Sequence, residues 1–460
     1  MFNIIKASTQ NIVDTTNKSQ EITLTARIAG VRVKGSMAFF IIQSGLTTVQ
    51  CILFKKTVGP ELFALVTRVR MQSICRIEGN MSIPDKPITS TTFPFSEIHI
   101  TKMDILSESE ILPFQLADAE ATLNVNFSLG EQMSTVGHTL LLNNPWLTHR
   151  TKFMQTVLRI KAAMCSGLRA YLESKDFMEI QTPKICEGSS EGGADCFNFK
   201  YFDKEACLAQ SPQLFKQMMV NSGFDRVFEI GPVFRAENAN TNRHLCEFTG
   251  VDLEMVLEPN ETFYKIIEYG WEMLNTVFNK IKLMEMFLAL NIEPPIIPNL
   301  PIVLTYSQGI DLLKNKGFEQ DAHLDISTQN EFELGVIVKD LYQSDLFVLT
   351  HYPQSVRPFY TMPTSPDPTS GSNSFDFILR GKEICSGAQR QHNYEQLLAE
   401  VVARNINPET LKFYLESFRY GSYTHGGCGF GLERLVAFFL NIPSIKFASA
   451  YPRDPNRLTP

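Results

Sequence analysis

Residues 226–255 read RVFEIGPVFRAENANTNRHLCEFTGVDLEM, which is two alternating runs around a polar loop. Alternation places Arg235 on the polar side of the first run and Asp252 on the polar side of the second, which predicts a hairpin of two strands. A charged face inside a sheet loses several kcal/mol of hydration per ion unless it meets a charged partner, so the hairpin indicates a highly polar substrate. An exposed amphipathic hairpin is the alternative. Arg243 and His244 at the tip favour the substrate, because they resemble donors to phosphate oxygens.

The length and composition indicate a soluble protein of several domains. A chain of 460 residues exceeds one ordinary core and predicts about two or three cores of ~100–200 residues each. Hydrophobic residues make up 44% and charged residues 20%, which is normal for globular proteins. The net charge of −7 argues against indiscriminate attraction to polyphosphate, so any RNA contact has to come from local surfaces.

The sequence predicts a cytoplasmic protein that does not enter the membrane. The N-terminus MFNIIKASTQNIVD lacks the basic and apolar regions of a secretory signal. The most apolar segment, residues 284–304, contains four prolines and two glutamates, so we expect a packed or looped insertion there. Nine cysteines without any CxxC pair indicate neither a disulfide framework nor a structural zinc site.

The chain divides into a β-rich part and a larger mixed part. Residues 21–105 contain about five β-type runs, as expected for a small five-stranded barrel that binds oligonucleotides. Apolar residues at helical spacing from Phe153 to Tyr171 predict an amphipathic helix that opens the larger part. We therefore predict a barrel over residues 1–105, a hinge over 106–145 and a second domain over 146–460, with an insertion at about 280–345.

Three alternate glycines near the C-terminus do not form a known phosphate loop. Gly427, Gly429 and Gly431 match neither GxGxxG nor GxxxxGK[ST]. We expect them to permit close packing of the backbone instead.

Six stretches, in order, resemble the class II aspartyl-tRNA synthetases (subclass IIb) of the archaeal and eukaryotic cytosolic type, and together they span nearly the whole chain. They are EIQTPKI (179–185), SSEGGADCFNFKYF (189–202), LAQSPQLFKQ (208–217), GPVFRAENANTNRHLCEFTGVDLEM (231–255), SNSFDFILRGKEICSGAQR (372–390) and HGGCGFGLERLVAFFLNIPSIKFASAYPRDPNRLTP (425–460). The resemblance implies an α+β fold with an N-terminal β-barrel (OB-fold) and an antiparallel sheet flanked by helices. It also implies a homodimer formed around Pro183, with ATP, Mg²⁺, L-aspartate and tRNA(Asp) as ligands.

Aminoacyl-adenylate formation needs no enzymic nucleophile, since the substrate carboxylate attacks the α-phosphorus itself and the protein holds the reactants and neutralises charge. By resemblance, Arg235, Arg434 and Glu383 are the catalytic residues. The guanidinium fork of Arg235 suits phosphate better than an ammonium would. The resemblance implies these ATP-binding residues in addition: Glu237, Arg243, His244, Leu245, Phe248, Gly431, Leu432 and Glu433.

Asp376, Glu383 and Ser386 are the Mg²⁺ ligands that the resemblance implies. Mg²⁺ prefers oxygen ligands and usually bridges substrate phosphates. Taken alone, Asp376 also fits a buried capping carboxylate.

The resemblance implies aspartate as the substrate. Lys216 and Arg390 correspond to the pair that grips the side-chain carboxylate, and two cations favour aspartate over uncharged asparagine. Taken alone, Lys216 would be assigned to a helix surface. The aspartate site implied by the family comprises Ser190, Glu191, Gln213, Lys216, Arg235, Asp252, Ser386 and Arg390.

Two other functions remain open on the sequence. An asparaginyl-tRNA synthetase would share most of this scaffold. A synthetase-derived RNA-binding regulator or amide-forming enzyme would keep the fold, although the phosphate arginines argue against the first and the barrel against the second.

In the barrel, Phe39, Gln50 and Glu97 correspond to positions that read the anticodon. Stacking and edge hydrogen bonds are how single-stranded bases are recognised. Without the resemblance, Phe39 would be assigned to the barrel core, as most aromatic residues on strands are.

Overall fold

A computed structural model describes residues 21–124, 135–187, 196–365, 367 and 370–460. The chain forms two compact units. The first contains the residues up to 122 and residues 146–155, and the second contains residues 156–460. The predicted Ser190 and Glu191 lie outside the described residues.

The first unit is a closed five-stranded barrel in the order β1-β2-β3-β5-β4. Its strands alternate between core and surface, as Ala38, Phe40 and Ile42 show by being fully buried on one strand. The structure confirms the five predicted strands and the barrel. Its elements are β1 (Glu21–Lys34), β2 (Met37–Ser44), β3 (Thr47–Phe54), α1 (Lys55–Arg68), β4 (Ile74–Ser82) and β5 (Glu97–Ser107).

Four helices follow the barrel in the chain. The predicted amphipathic helix is confirmed, and Val157, Ile160, Met164 and Leu168 on its apolar stripe are all fully buried. The predicted division at residues 106 and 145 stays a prediction, although part of that stretch is helical. The helices are α2 (Leu116–Leu123), α3 (His138–Asn143), α4 (Pro145–Thr148) and α5 (Lys152–Ser174).

The second unit is built on an eight-stranded sheet in the order β12-β13-β14-β15-β16-β11-β10-β6. Its middle strands pair antiparallel, but β6 is parallel to β10 and β12 is parallel to β13. The predicted antiparallel sheet is therefore mixed at both edges. Its strands are β6 (Met178–Glu179), β10 (Arg226–Phe234), β11 (Glu247–Val256), β12 (Val303–Thr305), β13 (Leu346–Thr350), β14 (Ser374–Leu379), β15 (Glu383–Gln389) and β16 (His425–Gly431).

Helices and a small sheet surround this core. The small sheet has the order β7-β9-β8, with β7 (Ile185–Cys186), β8 (Asn198–Tyr201) and β9 (Lys204–Leu208). The helices are α6 (Gln213–Asn221), α7 (Tyr264–Lys282), α8 (Glu285–Leu288), α9 (Tyr306–Asn315), α10 (Thr328–Tyr342), α11 (Tyr394–Ala403), α12 (Lys412–Glu416) and α13 (Leu432–Phe439). Short 3-10 turns cover Gln354–Val356, Pro408–Leu411 and Ile445–Ala448.

Residues 284–304 form the short helix α8, a loop and the start of β12, as the prolines predict. Within the described ranges no helix combines the length and the apolar character that crossing a bilayer requires. Each of the nine cysteines is a free thiol.

Strands β10 and β11 form the predicted hairpin, with Glu229 opposite Asp252. Both faces are buried, because Phe228 and Leu253 are fully enclosed on one side and Glu229, Asp252 and Glu254 are nearly enclosed on the other. The alternative of an exposed hairpin is therefore wrong. Part of the charge is neutralised by protein groups, since Lys184 Nζ lies 2.5 Å from Glu229 Oε1.

Candidate functional site

A cavity of about 320 Å³ opens beside strands β11, β15 and β16 of the large sheet. It is polar, and four arginines that the sequence singled out reach its wall. The predicted site residues that line it are Gln213, Arg235, Glu237, Arg243, His244, Leu245, Phe248, Asp252, Glu383, Ser386, Arg390, Gly431, Glu433 and Arg434. Lys216, Leu432 and Asp376 are not part of the lining.

Arg235 lies just after the end of β10, where its backbone N–H donates to the carbonyl of Cys246 across the hairpin. Its closest charged partner is Glu237, at 3.9 Å, and its guanidinium carbon lies 5.6 Å from the centroid of the Phe248 ring. Nε of Arg235 is buried and has no hydrogen-bond partner among the described residues. Since an unpaired buried donor costs free energy, this guanidinium is arranged to bind a group supplied from outside.

The hairpin loop is held by contacts with helix α10. Arg243 Nη2 donates to Thr328 Oγ1 at 2.5 Å, and Nη1 lies 3.5 Å from Glu331 Oε2. His244 Nδ1 lies 2.6 Å from Thr241 Oγ1. Burial, together with the positive charge of Arg434, lowers the pKa of His244. His244 therefore favours its neutral form, in which one ring nitrogen donates a hydrogen bond and the other accepts one.

Two neighbouring motif residues at the start of α13, Glu433 and Arg434, differ in their surroundings. Glu433 is almost fully buried, accepts from the Thr249 N–H at 2.9 Å, and lies 2.6 Å from Lys161 Nζ. These contacts tie α13 to β11 and α5. Arg434 faces the cavity, and its Nη1 lies 3.6 Å from Glu383 Oε1. Arg434 is therefore the more available of the two for an anion.

Two ion pairs lie at one wall of the cavity, where Asp252 and Arg390 form part of the lining. Lys216 Nζ lies 3.1 Å from Asp252 Oδ1, and Arg390 Nε lies 2.9 Å from Glu254 Oε1. Burial alone would raise the pKa of Glu254, but Arg390 and Lys216 hold that pKa below its ordinary value. Gln213 joins the network by donating to Glu254 at 3.0 Å. The network is charge-balanced before any substrate enters.

Lys216 therefore differs from the prediction in its surroundings. Its side chain is fully buried behind Asp252 instead of lining the cavity. Arg390 does line the cavity, and it donates through Nε to Glu254 and through Nη2 to Gln213 and the carbonyl of Gly427. A direct contact of either residue with a substrate stays a prediction.

Glycines make room for these carboxylates, as the sequence predicted for close packing. A Cβ on Gly429 would lie 2.7 Å from Asp252 Oδ1, and one on Gly427 would lie 2.3 Å from Glu254 Oε2. On β11, a Cβ on Gly250 would lie 2.6 Å from the other oxygen of Asp252. Any larger residue would displace the acidic side chains.

Several carboxylates lie close together around the predicted metal ligands. Strand register places Asp376 directly opposite Ser386, and the N–H of Glu383 donates to Glu331 Oε1 at 2.9 Å. Burial, with the nearby charge of Glu383, raises the pKa of Glu331 to about 8. Burial also raises the pKa of Glu383 above its ordinary value. The positive charge of Arg434 opposes this rise, and the negative charge of Asp376 adds to it. These carboxylates repel one another in the absence of a further cation.

These donors fit Mg²⁺ in chemistry, since they are hard oxygen ligands. The described residues contain no set of three His, Cys, Asp or Glu side chains already arranged around a metal position. Asp376 instead accepts two hydrogen bonds from Arg357, at 3.1 and 2.7 Å. Its metal role stays a prediction.

Sequence reasoning missed three residues of this region. Arg357 and Glu331 belong to none of the recognised motifs, and only the folded sheet brings them to Asp376 and Glu383. Glu254 lies two residues after Asp252 and so shares its polar side of the hairpin, but the sequence did not assign it to the site. The one available signal was that a glutamate in a buried strand requires a partner.

Two of the predicted anticodon residues contact each other on the barrel. Gln50 Nε2 donates to Glu97 Oε2 at 3.2 Å across the parallel pair β3 and β5. Phe39 on β2 points away from the barrel core, and the Arg32 guanidinium carbon lies 5.1 Å from the centroid of its ring. An outward aromatic ring beside a cation is a surface on which a base can stack.

Comparison with known proteins agrees with this geometry. Residues 137–455 match the family model for class II tRNA synthetases (D, K and N). Cytoplasmic aspartate–tRNA ligase 1 of Arabidopsis thaliana is 40% identical, over 96% of this chain and 84% of that protein.

Two solved structures have the same fold. Aspartyl-tRNA synthetase from Entamoeba histolytica has a TM-score of 0.85 at 36% identity, covering 96% of this chain and 90% of that chain. Asparaginyl-tRNA synthetase from Pyrococcus horikoshii, complexed with asparaginyl-adenylate, has a TM-score of 0.83 at 26% identity, covering 96% of each chain. The chain belongs to the class II tRNA synthetases of the D, K and N group.

Proposed function

We propose that this protein activates L-aspartate with ATP to form aspartyl-adenylate and transfers the aspartyl group to tRNA(Asp). The observation that carries the proposal is that one cavity is lined both by Arg235, whose buried Nε has no hydrogen-bond partner among the described residues, and by the Asp252 and Arg390 wall. Class II synthetases use ATP. The relatives of this chain with the highest identities reported above are aspartate enzymes. Because the relative from Arabidopsis thaliana is named cytoplasmic, we propose the same location for this protein.

The residues of the cavity suit the reactants of adenylate formation. The Arg235 guanidinium, whose Nε has no hydrogen-bond partner among the described residues, would donate to the α-phosphate and the attacking carboxylate and hold the two groups in line. Phe248 offers a ring for the adenine beside that guanidinium. Arg243 and Arg434 line the same cavity and would neutralise the charge of the terminal phosphates.

Aspartate is favoured over asparagine by the charged wall. Asp252 would accept hydrogen bonds from the substrate ammonium, and Arg390 would bind the side-chain carboxylate. Lys216 would act from behind, because its ammonium offsets Asp252 and keeps the wall from repelling a dicarboxylic substrate. Asparagine lacks the charge that this arrangement complements, although the structural similarity to an asparaginyl enzyme keeps it as the second candidate.

Mg²⁺ would be held by Asp376, Glu383 and Ser386. Such an ion supplies a positive charge that screens the phosphates of ATP. Burial raises the pKa of Glu331 and of Glu383, and the negative charge of a neighbouring carboxylate adds to each rise. A divalent cation would relieve that second contribution, which supports the proposal.

A homodimer formed around Pro183 is supported by apolar side chains exposed on that part of the second unit. Ile185 on β7 is 48% exposed, and Phe202 after β8 is 85% exposed. Exposed apolar groups on one small sheet indicate a surface that becomes covered. Light scattering would give twice the mass of the 460-residue chain if this proposal is correct, and the mass of one chain if it is wrong.

The charging reaction tests the proposed function directly. Purified protein is incubated with ATP, Mg²⁺ and labelled aspartate, with transcripts of tRNA(Asp) and tRNA(Asn) in separate reactions, and the same set is run with labelled asparagine. We expect labelled aspartate on tRNA(Asp) and no labelled asparagine on either tRNA. Asparaginyl-tRNA as the product would replace the proposal with the second candidate. The absence of any charged tRNA would favour a synthetase-derived protein of another function.

A further inference from the structure

Arg357 holds together two strands that carry predicted Mg²⁺ ligands. Its Nη1 lies 3.1 Å from Asp376 Oδ1 and 3.0 Å from Ser386 Oγ, and its Nη2 lies 2.7 Å from Asp376 Oδ2. Asp376 belongs to β14 and Ser386 to β15. One guanidinium therefore spans both strands, and only 10% of its side chain is exposed.

The position of this guanidinium is fixed from other sides as well. Its carbon lies 3.7 Å from the centroid of the Tyr352 ring, a stacked arrangement that sets the plane of the fork. The backbone carbonyl of Arg357 accepts a hydrogen bond from Arg404 Nη1 at 2.8 Å. Its Nε is buried without a hydrogen-bond partner in the described part of the chain, so the orientation of the side chain depends on Asp376, Ser386 and Tyr352.

We propose that Arg357 is a positioning residue that orients Asp376 and Ser386 for the divalent cation. This inference rests on the proposed Mg²⁺ site. The bidentate contact leaves further lone pairs on both oxygens of Asp376, because an ionised carboxylate has about four acceptor sites and the fork uses two. Arg357 therefore need not leave for a cation to bind.

Arg357 supplies Asp376 with both a counter-ion and a fixed orientation. Only 9% of the Asp376 side chain is exposed. Without Arg357 it would lack a counter-ion and a fixed rotamer. Carboxylates that bind metals are themselves held by hydrogen bonds, and removing such a partner typically weakens metal affinity about 10- to 100-fold. Lysine would keep the charge but not the planar fork that reaches both strands.

Mn²⁺ binding by the whole protein tests the inference without relying on activity. The electron paramagnetic resonance signal of free Mn²⁺ is followed, with Mn²⁺ as the only added ligand, for wild type, Arg357→Lys, Asp376→Asn and the double variant. Arg380→Lys is the matched control, because Arg380 follows β14 but does not line the cavity. The Mg²⁺ concentration that gives half-maximal ATP–pyrophosphate exchange is measured in parallel.

We expect Arg357→Lys to weaken Mn²⁺ binding and to raise the half-maximal Mg²⁺ concentration, each by about 10- to 100-fold. The control should match wild type, and Arg357→Lys should add no loss in the Asp376→Asn background. Thermal unfolding within a few degrees of wild type shows that the variants fold.

Other outcomes separate this inference from the proposed metal site. If Mn²⁺ binding is absent from wild type or unaffected by Asp376→Asn, the metal site itself is wrong. If Asp376→Asn weakens binding while Arg357→Lys leaves it unchanged or tightens it, the positioning role of Arg357 is wrong and the metal site stands.

Discussion

Replacing Arg235 by lysine separates catalysis from folding. The Arg235 side chain is 37% exposed, and its one ion pair, with Glu237, spans 3.9 Å. Exposed pairs of this kind contribute about 0–1 kcal/mol, so we expect the free energy of unfolding to change by less than about 1 kcal/mol. Lysine retains the charge, which isolates the loss of the two-pronged hydrogen-bonding group.

The expected effect on catalysis is much larger. Removing one donor that stabilises charge in a transition state costs about 2.7–4 kcal/mol, or about 10²- to 10³-fold in kcat. Arg235→Lys should therefore lower aspartate-dependent ATP–pyrophosphate exchange by about 100- to 1,000-fold, since a lysine contacts one oxygen where the fork contacts two. Arg419→Lys serves as the control, because Arg419 is exposed, its ion pair is with Glu416 three residues away, and it does not line the cavity.

Exchange rates and thermal unfolding are measured on the same preparations. A decrease in exchange of less than about threefold would refute the role of Arg235, because the cost of one transition-state donor is about 10²-fold or more. A loss of several kcal/mol in stability would refute the argument from exposure instead.

Three further changes test other parts of the structure. Phe39→Ala should leave ATP–pyrophosphate exchange unchanged and reduce charging of tRNA(Asp), because base stacking contributes about 1–3 kcal/mol; equal losses in both assays would contradict the separate roles of barrel and cavity. Lys216→Met should lower the free energy of unfolding in urea by about 3–5 kcal/mol, since it leaves the buried Asp252 without its ion-pair partner; an unchanged midpoint would show that the pair is not needed for stability. Glu331→Gln should raise the melting temperature at pH 9 and leave it unchanged near pH 4. The pKa of Glu331 in the folded protein, about 8, exceeds its ordinary value of 4.5, so the stability of the wild type falls as the pH rises between these two values. A difference between variant and wild type that grows toward low pH would contradict that sign.

The parts of the fold that follow from local pattern were predictable. Alternation at Ala38, Phe40 and Ile42 predicts a half-buried strand, and these three side chains are fully buried. Helix α1 was missed because Gly59 and Pro60 interrupt it, with Gly59 at a φ of 83°. Local propensity argues against a helix there, and packing of Phe63 and Val66 against the barrel core outweighs it.

The site was predictable where a motif carried it, and not where distant segments meet. The hairpin pattern placed Arg235 and Asp252 on one polar face, and both line the cavity. The sequence gives no sign that Lys216 is fully buried, because its partner Asp252 is 36 residues away. Arg357 was missed for the same reason, since its contacts are made by the register of β14 and β15.

The parallel strand pairing at the two edges of the sheet could not be predicted from the sequence either. β6 and β12 are two and three residues long. Strands of this length carry too few alternating residues to indicate a direction or a partner.

The central claim is that the charged wall of the cavity selects a dicarboxylic amino acid beside ATP. ATP–pyrophosphate exchange by the wild-type protein, with aspartate and asparagine supplied in separate reactions, tests it most directly. We expect exchange with aspartate and none above background with asparagine. Exchange with asparagine and not with aspartate would contradict the claim.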